Sequence, residues 1–172
     1  MPLTVQRVLT LIFGSRNERL LKRYHQIVDQ VNALESKIQP MTDEQLRQRT
    51  EEIREGLRAG KLRSSEVLHE AFAIIRESMD RNIGIRQIFN PEEHFDPDQF
   101  DDEMLELYDS VQRRMIQTGE SWMRVPIPPK LYEAVRKIYP ESRPPFRARC
   151  FDVQIIGGLV LYEGKIAEMA TG

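Results

Sequence analysis

One cysteine, Cys150, stands in a chain of 172 residues. A single thiol forms no internal disulfide and supports no multi-cysteine metal site, which fits a reducing cytoplasm. Long apolar runs are also missing. The longest near the start, Val8 to Phe13, is broken by Thr10 and falls far short of the roughly 20 residues that a membrane span needs. It is too short for a signal-peptide core, and Arg16, Arg19, Lys22 and Arg23 crowd its far side. Net charge is scarce as well: 25 Lys and Arg against 27 Asp and Glu leave −2. Bulk attraction to nucleic acid is therefore excluded, and any electrostatic role falls to local patches. His25, His69 and His94 lie far apart and share no ligand spacing with one another or with Cys150, so no metal site is expected.

What is present is a balanced composition, 40% hydrophobic and 30% charged, enough for a helical domain with a real core. Periodicity predicts a short amphipathic helix over 4–13, ended by Gly14. A long helix follows to about Lys37, with Leu20, Tyr24, Ile27, Val31, Leu34 and Ile38 as its apolar seam. Thr42 and Gln45 form a capping box that starts the next helix, which stops before Gly60. Over 65–81, Val67, Leu68, Ala71, Phe72, Ile74, Ile75 and Met79 make the richest core face.

From Pro91 to Asp109 there are nine Asp or Glu and no Lys or Arg. Part of this run reads as a solvated loop without the glycine and terminal glutamate of a calcium loop. Part supplies the acidic N-terminus of a helix over 101–117. Pro129 opens a further helix through Ile138, and an apolar helix is expected over 152–161. Lys165 to Met169 alternates in the manner of a strand. The divisions expected are 1–40, 41–87, 88–148 as an acidic and proline-rich insertion, and 149–172.

Four stretches carry a resemblance. They are Phe13-Gly14-Ser15-Arg16-Asn17, then Thr42-Asp43-Glu44-Gln45-Leu46, then Glu70-Ala71-Phe72-Ala73-Ile74-Ile75-Arg76-Glu77, and the closing run from Phe151-Asp152-Val153-Gln154 to Gly164-Lys165-Ile166-Ala167-Glu168-Met169-Ala170-Thr171-Gly172. Together, over 1–85 and 149–172, they resemble the SecA preprotein translocase ATPases. In that family the last run leads into a Thr-Gly-Glu-Gly-Lys-Thr phosphate loop. The family's uninterrupted Gly-Met-Arg-x-Phe-Asp-Val-Gln is split here: Gly84-Ile85-Arg86 resembles its first half and Arg149-Cys150-Phe151-Asp152-Val153-Gln154 its second. Either Ile85 or Ala148 stands for the usual methionine, and Ala170 stands where arginine is frequent.

The resemblance implies a mainly α chain that ends in the first strand of a RecA-like nucleotide-binding domain. It implies Gln154, Phe151, Arg149 and Gly172 as nucleotide contacts, with ATP or ADP and magnesium as ligands of the whole motor. A glutamine amide offers an acceptor and two donors to the adenine edge, and Phe151 offers an apolar surface to the base. Because the sequence stops at Gly172, the chain by itself is expected to hold a half-site and to hydrolyse no ATP. The absent charge-assisted bonds, roughly 1.5–3 kcal/mol each, correspond to about a thousandfold in affinity. The resemblance also implies preproteins, the SecYEG channel and an anionic lipid surface as partners, at the cytoplasmic face of the bacterial inner membrane. Arg7, Leu9, Ile12, Phe13, Arg16, Arg19, Lys22 and Arg23 are the expected contact set, with up to about 1 kcal/mol per basic residue at an anionic surface. The alternatives are a solvated basic face and a non-catalytic helical module that docks on the translocase or membrane. A homodimer through the long helix seam is a further alternative.

Overall fold

The computed structural model describes residues 16–168. The expected helix over 4–13 and the residues after 168 lie outside them. By their internal contacts the described residues divide into two units, 16–33 with 151–168 and 34–150.

In the first unit, α1 (Arg16–Ala33) packs with α7 (Asp152–Tyr162). Tyr24, Val28 and Val31 are the buried residues of α1, and Ile155, Gly157 and Leu159 those of α7. The seam keeps Tyr24 and Val31 as expected, but between them Val28 is enclosed while Ile27 is only half-buried. The long helix also ends earlier than the pattern suggests. It breaks at Leu34 and resumes in the second unit as the single turn α2 (Glu35–Ile38).

The second unit begins with α2, α3 (Asp43–Arg58) and α4 (Ser64–Met79). The expected capping box is present: Thr42 Oγ1 accepts from Gln45 N (3.2 Å) while Gln45 Oε1 accepts from Thr42 N (2.7 Å). A two-pronged pair from Arg49 to Glu70 (2.6 and 2.9 Å) fastens α3 to α4, and hydrogen bonding to Arg49 holds the Glu70 carboxyl below the usual carboxylate range. Past Met79 the helix widens into a π-turn, Asp80–Gly84, and tightens into a 3-10 turn, Ile85–Phe89. Nothing in the apolar spacing signals this change.

The acidic stretch then runs through two short 3-10 turns into α5 (Asp102–Thr118), with Asp101 Oδ1 capping Met104 N at 2.9 Å. Its charged side chains are exposed, in agreement with a solvated run, but its aromatic residues turn inward. Phe95 packs on Phe100 and Phe146, each with ring centres 5.3 Å apart, and Phe89 stacks on Tyr108 at 4.8 Å. Met104, Tyr108 and Val111 form the buried stripe of α5. Leu131, Tyr132 and Val135 on α6 (Pro129–Ile138) have no exposed surface. Each such side chain contributes about 1.5–3 kcal/mol when enclosed. Residues 85–146 thus own a hydrophobic core.

No strand forms among the described residues; 165–168 has no regular structure. A strand needs a neighbour for its backbone N–H and C=O groups, and none of the described segments supplies one. The remaining part of the expected strand lies beyond residue 168.

Gly84, from the first half of the split motif, lies against the backbone that directly precedes the second half. A Cβ on Gly84 would stand 2.5 Å from the Ala148 backbone nitrogen and 2.8 Å from the Arg147 carbonyl carbon. Gly84→Ala should therefore lower unfolding stability by about 1–3 kcal/mol, because backbone rather than a flexible side chain must move. Urea denaturation of the two proteins measures this, and an unchanged midpoint would refute the close approach.

Candidate functional site

The implied adenine residues sit where α7 begins. Phe151 is extended (φ −73°, ψ 158°) and Gln154 is the third residue of the first turn. Gln154 Oε1 accepts the otherwise unpaired N–H of Phe151 at 2.8 Å, half of a capping box. The bond fixes the amide plane while leaving one lone pair on Oε1 and both protons on Nε2. One acceptor and one donor, side by side, match the adenine N6 amino group and N7. The donor set present therefore fits a purine edge. Phe151, 56% exposed, leaves its ring surface uncovered beside it.

Of the other expected contacts, Gly172 lies outside the described residues. Arg149 belongs to the second unit, where its Nη2 pairs with Glu35. In the first motif half, Arg86 is 2% exposed and fully used: Nη2 pairs with Asp43, Nη1 donates to Val125 O (2.7 Å) and Nε to Asn82 Oδ1 (3.0 Å). Ile85 is wholly enclosed in the 85–146 core, whereas Ala148 is half-buried.

The expected surface set is only partly described. Arg7, Leu9, Ile12 and Phe13 fall outside the described residues, as does the side chain of Arg16. Arg19, Lys22 and Arg23 are exposed on α1, and their spacing of three and four places them along one helix face. Arg23 is not only solvated. It pairs with Glu163, which also accepts from Tyr24 Oη (2.8 Å) and Lys165 Nζ (2.5 Å). This cluster joins α1 to the turn after α7, and Gly164, at φ +69°, lets the turn reverse. Beside the cluster, Leu20, Leu21, Tyr24, Val153, Ile156 and Ile166 line an apolar groove of about 590 Å³.

A family described as the SecA DEAD-like domain matches residues 9–172. Among curated proteins, the protein translocase subunit SecA of Thermodesulfovibrio yellowstonii is 34% identical over 166 residues, covering 96% of this chain and 12% of its own length. The SecA subunit of Nitrosomonas eutropha is 32% identical over 168 residues, covering 98% and 11%. That of Methylobacillus flagellatus is 35% identical over 161 residues, covering 94% and 11%. The chain therefore spans about an eighth of the length of these relatives. No solved structure matches it.

The Glu163 cluster gives a pH dependence. Lys165 first, then the Tyr24 hydroxyl, hold the Glu163 carboxyl below the usual carboxylate range. A lowered value in the folded state means the contribution is intact above the ordinary carboxylate range and lost as pH falls through the lowered one. The protection of the α1 and late α7 amides, corrected for intrinsic exchange, should fall on acidification below the ordinary carboxylate range. Glu163→Gln should exchange faster at neutral pH with a weaker acid dependence. Identical acid profiles for the two proteins would contradict the assignment.

Proposed function

The chain belongs to the SecA DEAD-like domain family, and from that premise we propose that it serves a SecA-type motor that drives preproteins through the SecYEG channel with ATP and magnesium. Gln154 and Phe151 read the adenine base, Arg149 assists on the nucleotide, and Gly172 opens the phosphate loop. The observation that carries this reading is the Gln154 amide, held by the Phe151 N–H with one acceptor and two donors unspent. When bound, the nucleotide supplies the free energy of hydrolysis. This chain's residues orient the base and, through α7, the backbone that follows it.

The same premise gives the exposed face of Arg19, Lys22 and Arg23 an anionic lipid surface as its partner at the cytoplasmic side of the membrane. No described helix is long and apolar enough to cross a bilayer, so contact through this face is peripheral.

Two measurements test these readings on the full-length natural protein. Gln154→Glu keeps the acceptor for the Phe151 N–H and removes the amide donors. It should weaken ADP binding about tenfold, the worth of one hydrogen bond to a buried partner, and leave α7 intact by circular dichroism. Equal ADP affinity would take Gln154 out of the site. Separately, Arg19→Ala with Lys22→Ala should reduce co-sedimentation with anionic phospholipid vesicles and leave the small uptake by neutral vesicles unchanged. Equal binding to both vesicle types would refute the lipid reading.

A further inference from the structure

Arg149 has the most completely built surroundings of any implied site residue, and it is gripped from two directions. Its backbone N–H donates to Ser142 Oγ at 2.6 Å, and its carbonyl accepts from the same hydroxyl at 2.8 Å. One hydroxyl thus satisfies both polar groups of one peptide residue. The side chain is held separately. Nη2 pairs with Glu35, whose Oε1 also accepts from Arg76 Nη1 at 3.0 Å. Arg76 is 2% exposed on α4, so Glu35 is itself anchored by a buried cation.

The neighbours of Arg149 are fixed in the same way. Asp80 takes the Arg147 Nε (3.0 Å) and the Ala148 N–H (3.1 Å), and Cys150 Sγ donates to Met79 Sδ at 3.0 Å. Every residue from 147 to 150 therefore has a specific partner within the second unit. The guanidinium carries five donors in a planar fork. Glu35 occupies one edge at Nη2, and the side chain keeps 29% exposure, so donors remain for an anionic or hydrogen-bonding ligand.

We propose that Ser142 and Glu35 are positioning residues for the nucleotide site, acting through Arg149. An arginine on a loose connector must be ordered when ligand binds, and that ordering subtracts from affinity. Here the ordering is done in advance. Ser142 lies in the 88–148 stretch that separates the two motif halves, so that stretch supplies part of the rigidity of the motif it interrupts. The inference rests on the reading of Arg149 as a nucleotide contact.

Calorimetric titration of the full-length natural protein with ADP and magnesium tests it on Arg149→Ala, Glu35→Gln, Ser142→Ala and Ser142→Thr. Arg149→Ala should weaken binding about tenfold, and Glu35→Gln and Ser142→Ala each by about three- to tenfold. Neither should add anything on an Arg149→Ala background. Ser142→Thr, which keeps the hydroxyl, should restore wild-type affinity. Thermal melts of each variant separate these effects from general unfolding, and the Ser142 pair carries the test should Glu35→Gln fold poorly. If Arg149→Ala weakens binding while Glu35→Gln and Ser142→Ala do not, the positioning role is overturned and the arginine contact stands. If Arg149→Ala binds ADP as wild type does, the contact itself fails and the positioning role with it.

Discussion

The second unit depends on two acidic side chains at the end of α4, Glu77 and Asp80, which are 5% and 1% exposed. Glu77 accepts from Arg81 (2.5 Å) and Arg136 (2.7 Å), and Asp80 from Arg136 (3.3 Å), Arg147 and the Ala148 N–H. Arg81 continues the network to the carbonyls of Gln39 and Met41 and to Asp43, and lies over the Tyr132 ring at 4.4 Å. Asp43 also takes Arg86 and the Tyr132 hydroxyl. Burial pushes that phenol above its ordinary range, which keeps it a donor. Taking these ions out of water is costly, and only near-complete pairing offsets it; removing one partner from such a network costs about 3–5 kcal/mol. The network fastens α2, α3, α6 and the return loop to one turn of chain.

That turn is the π-turn, and its geometry explains how two neighbouring acids can serve opposite tasks. Glu77 lies on α4 proper and faces α6 together with Arg81, four residues on. Asp80, at the start of the widened turn, reaches the backbone at 147–148 as well. Gly84 closes the arrangement because only a residue without Cβ fits against that backbone. Gly84 of the first motif half is in this way brought against the backbone at 147–148, directly before the second half. The interruption is a loop in the topological sense only, since it carries its own aromatic core.

How much of this could be read beforehand follows from the range of the forces involved. Thr42 with Gln45, Pro129, Asp101 and the 3.6-residue stripes are local signals, and the corresponding helix ends fall within a residue or two of expectation. Val28, the π-turn and the inward turn of Phe95 and Phe100 are set by partners distant in sequence, and no spacing rule contains them. The same division holds for the site. Phe151 and Gln154 share one helical turn, a placement that local spacing contains. Ser142, Glu35 and the Glu163 cluster act across 7, 114 and 139 or more positions, which local spacing does not contain. Arg86 matches a motif letter, and its charge is spent on Asp43.

The two units are held by unlike forces, and the difference bears on where motion is expected. In the second unit the decisive pairs are buried and mutually saturated. In the first, α1 and α7 share a modest apolar contact and the Glu163 cluster, whose arginine is 53% and lysine 46% exposed. Exposed pairs of this kind contribute little and are screened by salt. Local opening draws on the least buried contacts first, so the helix that bears Gln154 belongs to the softer unit while Arg149, five residues earlier, belongs to the harder one.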